Sequence, residues 1–570
     1  MSYLDLPRLT FFGQFTANPS TVNNTPSNYG QPLPYQYELP PDNDPPPGYV
    51  SWNPYGTHSF SLDCAVTNVT PGPAESGSVM SIQPNQPGYA VLVDLDTAQQ
   101  MVSQIIGMQL TVTVGSGSVV GNFVPVNFFD IYFSRMSGSN PIANGDGVAG
   151  AAYQSVLTDL QWNEGDSAFL QSLKKKSPTM LSIRFNVDAY NMNFQLPTFN
   201  VGRVAGTIGP QYPDEPTSFV NQRFLRPIAA SGWNYAPAKF DSKSGKLTVD
   251  LGNATAFTWN QDQPAPTSNV TSVQVATISF NGSTPQSVID TIPTAVSTTD
   301  ADYQSNAFVQ DLDVPQSMLS TIGSTPLGIV SNGAIVMAEN PTGAYINADQ
   351  YVFRLNPGDF GSVTLWANNF GTPASGVDVA LALNLNGIGG GPPVGVPATA
   401  LSFPSSVTTD TSGQASFTLV ASPPGNPRGP IDGQMYGVGW TWSEDVLADP
   451  NAFVSVRVLD SVAIPAAPTW WDDVFPILVQ YSYLYPKMQQ IITLDDFDTV
   501  VQNISVIVQR LTLSPGNPGY MPIERELSRD KLAILLRWAE NPIQGKEPVP
   551  PPVMPPLPQW PPPPTSGSAQ

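Results

Sequence analysis

The sequence predicts a mainly β protein made of several antiparallel domains, and three observations lead there. Charged residues are only 12% of the chain, and 46 glycines and 61 prolines help fill the gap, a composition that favours strands and turns over helices. Short segments with β-branched or aromatic residues at alternate positions recur, as in YAVLVDLD from Tyr89, TMLSIRFNVDAY from Thr179 and KLTVDL from Lys246. Such alternation places one face of a strand on a core and the other in solvent. The 570 residues also exceed the roughly 250–300 at which single cores stop growing, so two to four domains are expected.

Residues 1–345 form the expected N-terminal β region, an antiparallel sandwich or barrel of one or two subdomains. Within it, MQLTVTVGSGSVVGNFVPVNFFDIYF from Met108 reads as strands separated by glycine turns. The proline-rich stretch Gln31–Pro54 cannot run as a central strand, because proline lacks the ladder donor, and is read as an extended loop on the surface of the first domain. In DTAQQMVSQIIG, Ala98, Met101, Val102 and Ile105 fall at helical spacing and predict a helical turn or two. Residues 346–465 carry strands at intervals of about ten residues, the pattern of an immunoglobulin-like sandwich, with Asp410 and Gly413 marking a hairpin. Residues 466–544 change to helix. Asp472 and Asp473 mark one start, while Phe497, Val500, Val501, Ile504 and Val508 make the stripe of a second helix that should pack on the first as a hairpin. Ser528 caps a third helix that Pro542 stops. Residues 545–570 are a Pro-rich extended tail of polyproline II type, which either docks an aromatic-lined groove on a neighbour or has no partner.

The net charge of −22 reflects scarce base more than abundant acid. Lys174–Lys176 is the one basic run, too small to grip a phosphate backbone, so nucleic acid is excluded as a partner. The same deficit argues against an anionic membrane surface, and no run of about 18 apolar residues predicts membrane insertion. No signal peptide opens the chain, so the expected address is cytoplasmic unless a non-standard route exports it. Cys64 is alone, which rules out an intrachain disulfide, and the alternation of FSLDCAV buries it. In so base-poor a chain, Arg203, Arg223 and Arg226 are expected to make buried or interdomain ion pairs.

His58 is the only histidine. One imidazole cannot supply a ferritin-like di-iron site or a zinc site of two or three histidines. Ser-His-Asp or Cys-His catalysis would have to run through it. It lies in an Asn-Pro-Tyr-Gly-Thr turn and reads as an exposed polar residue, with single axial haem ligation still open. No catalytic residue is assigned. Asp94 with Asp96, Asp300 with Asp302, and Asp311 with Asp313 are spaced two apart, so that on strands each pair would face one side and could converge on calcium. Trp440 with Trp442, and Trp470 with Trp471, are flat aromatic pairs that could stack on sugars or flat heterocycles, or fill cores. The string VGRVAGTIGP lacks the full dinucleotide fingerprint and its following helix.

A set of ordered segments adds a family resemblance. They are MSYLDLPRLTFFGQFTANPSTVNN, WNPYGTHSFSLDCAVTNV, VDLDTAQQMVSQIIGMQL, FNVGRVAGTIGP, QRFLRPIAASGWNYAPAKFDSKSGKLTVDLGNA, YVFRLNPGD, NPRGPIDGQMYGVGW and YMPIERELSRDKLAILLRW. Together they resemble the N-terminal, non-ferritin region of the chromopyrrolate-synthase or VioB-type proteins and of related standalone proteins. For full-length relatives the resemblance implies haem association and oxidative coupling of two tryptophan-derived imines, with a ferritin-like region after the last of these segments. The present sequence ends shortly after that segment. The reading placed first is a noncatalytic binding or self-assembling structural protein on a VioB-like scaffold, with a protein partner, itself or another. The second is a secondary-metabolite biosynthesis protein acting on indolic intermediates, and the third a calcium-assisted carbohydrate-binding protein.

Overall fold

The computed structural model describes residues 2–18, 57–72, 78–82, 90–96, 99–137, 145–191, 198, 200–228, 232–260, 263–266, 272–279, 285–292, 300–384, 394–429, 431–448, 452–485, 488 and 491–548. The expected loop Gln31–Pro54 and most of the Pro-rich tail lie outside the described residues.

The first sheet is built mainly from β1 (Arg8–Asn18), β2 (Ser59–Thr70), β3 (Val79–Ile82), β4 (Ala90–Asp96), β5 (Gln99–Ile106), β6 (Gln109–Val114), β7 (Gly117–Phe123), β8 (Gly150–Asn163), β9 (Leu181–Asp188) and β10 (Val201–Pro210), with the short strand Phe129–Tyr132 paired to β8. In the order β1-β10-β9-β8-β7-β6-β3-β2 they make an antiparallel sheet, and β2 pairs back onto β1, which closes an eight-stranded barrel. Closure removes the sheet edges. Gly13 is needed there, because a Cβ at that position would stand 2.1 Å from the Asp63 carbonyl oxygen on β2. Aromatic rings fill the interior, with Phe15 stacked on Phe60 at 6.1 Å and Tyr153 on Phe185 at 5.1 Å. Helix α1 (Ala168–Lys176) adds Phe169, Leu170 and Leu173 to this core. Cys64 is buried on β2, and burial pushes its thiol up to about 12.

Strands β4 and β5 extend the sheet from β2 as a hairpin, so where helical turns were expected Gln99–Ile106 is instead a strand, Ala98 lying outside the described residues. The spacing misled because this strand is covered on more than one side. Ile105 enters the barrel core, while Val102 and Ile106 enter two other apolar clusters. Apolar residues on a strand buried on both faces need not alternate.

A second sheet follows, in the order β15-β14-β17-β18-β11-β12-β13-β16. Its strands are β11 (Arg223–Pro227), β12 (Ala236–Asp241), β13 (Lys246–Asp250), β14 (Val273–Ile278), β15 (Pro285–Ile292), β16 (Val309–Asp313), β17 (Leu327–Ser331) and β18 (Ala334–Ala338). It covers one side of the barrel, so nearly every residue of β9 and β10 is buried rather than every second one. The covered face carries charge. Arg203 makes two 2.8 Å hydrogen bonds to Asp188 and lies 4.3 Å from the Phe257 ring and 4.5 Å from that of Tyr303, and Arg184 reaches Asp250 at 2.9 Å. Burial opposes ionisation of Asp188, but the Arg203 and Arg135 guanidiniums outweigh it and hold the carboxyl below its usual range.

The third unit is a sandwich with the expected two sheets. Its strands are β19 (Ala344–Ala348), β20 (Val352–Leu355), β21 (Phe360–Asn369), β22 (Asp378–Leu383), β23 (Leu401–Ser402), β24 (Ser406–Thr408), β25 (Gln414–Ala421), β26 (Gln434–Thr441) and β27 (Phe453–Val458). One sheet runs β19-β21-β25-β23 and the other β20-β27-β26-β22-β24. The turn at Asp410–Gly413 forms, with Asp410 accepting from Ser412 and Gln414 amides, but it is not a hairpin within one sheet. It carries the chain from β24 in one sheet to β25 in the other. Arg226 clamps this unit to the second sheet through Asp445 at 2.7 and 3.0 Å, and Arg223 bonds Glu339 at 2.8 Å, as expected of those arginines.

A π turn at Trp470–Val474 opens the helical segment and runs into α3 (Phe475–Leu484). The single second helix expected from the stripe is two, α4 (Phe497–Gln502) and α5 (Ile504–Leu511). Asn503 separates them: its side-chain amide donates to the Thr499 carbonyl at 2.8 Å, competing with the backbone ladder. Helix α6 (Arg529–Glu540) begins at Ser528, whose hydroxyl accepts from the Lys531 amide, and packs against the π turn and α5.

Candidate functional site

The tryptophan pairs are mainly interior. Trp470 is fully buried among Phe475, Phe497 and Trp538, with ring centroids 5.7–5.9 Å away, and Trp471 is half-buried against Phe475. Trp442 is buried in the sandwich core and Trp440 packs on the same core. These rings fill cores that their large area stabilises, and they do not form exposed platforms. The acid pairs are also engaged. Arg8 grips Asp311 at 3.1 and 2.5 Å, and Lys246 meets the exposed Asp313 at 2.8 Å. Asp300 and Asp302 open helix α2 (Asp300–Asn306), so the strand geometry that would have aligned them does not apply, and their side chains lie outside the description. Among the described residues no three His, Cys, Asp or Glu side chains assemble into a metal-binding group. His58 is buried rather than exposed: the helical segment covers it, and its ring meets Tyr485 edge-on at 5.9 Å.

Asp94 and Asp96 lead to the largest polar feature of the interior, at the meeting of barrel, sandwich and helical segment. Asp96, on β4, receives the Arg428 guanidinium in bidentate fashion at 3.0 and 2.6 Å, with Arg457 of β27 at 3.3 Å, and none of the three side chains is exposed. Arg457 also donates to the Asp432 carbonyl at 3.0 and 2.6 Å and to the Leu95 carbonyl at 3.2 Å. The Asp432 carboxylate accepts from the Ser528 amide at 2.8 Å and faces Lys531 at 3.3 Å, which ties in the start of α6. Arg354, from β20, donates to the Asp94 carbonyl at 2.7 Å, to Gln104 of β5 at 2.8 Å and to the Glu524 carbonyl at 3.1 Å. Burial holds its guanidinium down at about 10. Asp94 and Asp96, Arg354, Arg428 and Asp432, and Glu524 to Ser528 all lie in segments that carry the family resemblance, whereas Arg457 does not.

Beside this network lie two buried carboxyls that the motif search passed over. Tyr485 donates to Glu526 at 2.8 Å. Glu524 is wholly buried, and neither of its oxygens has a hydrogen-bond partner. Burial first, then the neighbouring Asp94 and Glu526, push its carboxyl well above the usual range. The signal was available: in a chain with 12% charge, acids inside IERELS and arginines inside the apolar strands VFRL and VSVRVL are out of place unless buried and matched.

A separate cleft of about 290 Å³ lies between residues 214–222 and the sandwich, lined by Trp366, Gln222, Gln414, Asp214 and Glu215 among others, with no Lys or Arg in its wall.

No family model matches the chain, and no curated protein matches it. Among solved structures, the D0-D1 domain of intimin aligns at 15% identity over 40% of this chain and 97% of that one, with a TM-score of 0.16. Domains 4 and 5 of the S-layer protein SbsC align at 8% identity over 24% of this chain and 65% of that one, with a TM-score of 0.14. The chain thus spans less than two thirds of that SbsC fragment, and likeness at these scores carries no argument about function. The class that fold and junction define is a multi-domain antiparallel β protein with an arginine–carboxylate centre. No helix among the described residues is long and apolar enough to cross a membrane.

Proposed function

We propose that the protein is a noncatalytic structural or binding protein that associates with copies of itself, built on a scaffold shared with the VioB-type N-terminal region. The observation that carries this reading is the Asp96–Arg428–Arg457 centre, which joins barrel and sandwich in one water-excluded contact and is tied to the helical segment through Asp432, Ser528 and Lys531. Groups that could otherwise do chemistry are buried: His58 is covered, Cys64 is a thiol of raised pKa inside the barrel, and nine of the thirteen arginines are buried. A stiff multi-domain body with a net charge of −22 suits a component whose task is to present surfaces. Four of the segments that carry the resemblance meet at this junction, which supports reading them as part of the framework of a shared scaffold.

The cleft beside Trp366 favours one second reading, a site for a flat polar molecule such as an indolic intermediate. Size-exclusion chromatography with light scattering and full-spectrum absorbance on one peak separates the two. A colourless species well above the 60.9 kDa of one chain is the expected result. A monomer carrying a Soret band or another bound chromophore would overturn the first reading in favour of the second.

A further inference from the structure

The junction holds more acid than base. Asp94, Asp96, Asp432, Asp460, Glu524 and Glu526 are all buried there, against Arg354, Arg428, Arg457, Arg525 and Lys531, which makes six carboxyls and five cations. The cations are also unevenly directed. Arg428 and Arg457 serve Asp96, and Lys531 serves Asp432. Arg354 points its donors at two carbonyls and the Gln104 amide oxygen, and Arg525 donates to the carbonyls of Pro515, Asn517 and Ile523. Neither guanidinium bonds a glutamate carboxyl.

The charged and polar groups around Glu524 and its Arg354 neighbour come from several elements. β4 brings Asp94 and Asp96, β5 brings Gln104, β20 brings Arg354 and β27 brings Arg457. Its own segment adds Arg525 and Glu526, and α3 brings the hydroxyls of Tyr481 and Tyr485, the second of which is already donated to Glu526. A bare carboxylate without a hydrogen bond in such a place is strongly disfavoured, and two adjacent ones more so.

We infer that Glu524 is a single-charge binding site at the domain junction, and that the charge it takes is a proton: the protein binds one proton as barrel, sandwich and helical segment come together. The site goes beyond the assembly reading and does not depend on it. Its sign follows from linkage. A glutamate whose folded pKa is raised contributes stability that is full below its ordinary value and is lost as pH rises from there through the raised value. Junction closure is therefore favoured by acid, by up to about tenfold in the folding constant for each pH unit inside that window.

The test compares the melting temperature of the full chain with that of Glu524→Gln and Glu526→Gln from about pH 5 to about pH 9. The glutamine at 524 keeps the shape and cannot ionise, so this variant is expected to lose the part of the pH slope that one proton supplies, while Glu526→Gln, which leaves the burial and the Asp94 neighbour of Glu524 in place, reduces the slope less. A protonated-carboxyl infrared band present in the parent and missing from Glu524→Gln is the second expected result. Matching slopes in the parent and Glu524→Gln, or an unchanged band, would overturn the assignment. So would a parent stabilised selectively by sodium or potassium over choline at equal ionic strength, which would make the bound charge a metal cation.

Discussion

Replacing Arg428 with alanine is expected to destabilise the protein by about 3–5 kcal/mol, because it removes the bidentate guanidinium from the wholly buried Asp96 carboxylate. Attraction inside the junction is strong, but so is the penalty for desolvating each ion. The loss is therefore expected to come mostly from the stranded charge. Urea denaturation of Arg428→Ala and of the pair Asp96→Leu with Arg428→Met separates these contributions. The pair is expected to recover part of the stability, since the Asp96 charge is removed with its partner while Arg457 loses that carboxylate and keeps its hydrogen bonds to the Asp432 and Leu95 carbonyls. A single variant within about 1 kcal/mol of the parent would mean that the contact is water-exposed in solution.

Trp470→Ala is expected to cost about 3–5 kcal/mol, the range for truncating a fully buried tryptophan. The ring lies between the π turn and α6, touching Phe475, Phe497 and Trp538, and a cavity there removes contacts from three helical elements together. Loss of far-UV helical signal at a lower temperature than in the parent is the readout. Trp471→Ala, at a half-buried position, should do markedly less. Equal and small effects would return the pair to the role of a surface platform.

Much of the architecture was legible because strand alternation and turn chemistry are local. The sandwich, the N-terminal β region, the Ser528 cap and the pairing of Arg203, Arg223 and Arg226 were all within reach of the sequence. Barrel closure was not, because pairing of β1 with both β2 and β10 is a long-range fact. Where the alternation of apolar residues misled, burial on several sides was the cause. Ile105 and Val102 imitate a helix because different cores take them, and β9 and β10 lose their alternation under the second sheet. The candidate site was harder. Asp94 and Asp96 were noticed for their spacing, yet the guanidinium that grips Asp96 comes from Arg428, 332 positions away. Spacing rules see ligands on one strand and miss a matched charge from another domain.

The central claim is that the junction welds barrel, sandwich and helical segment into one cooperative body. Scanning calorimetry of the parent protein tests it most directly. A single transition whose calorimetric and van't Hoff enthalpies agree is the predicted result, with Arg428→Ala splitting it into separate steps. Two or more resolved transitions in the parent, unchanged by Arg428→Ala, would contradict the account and leave the domains as independent modules on one chain.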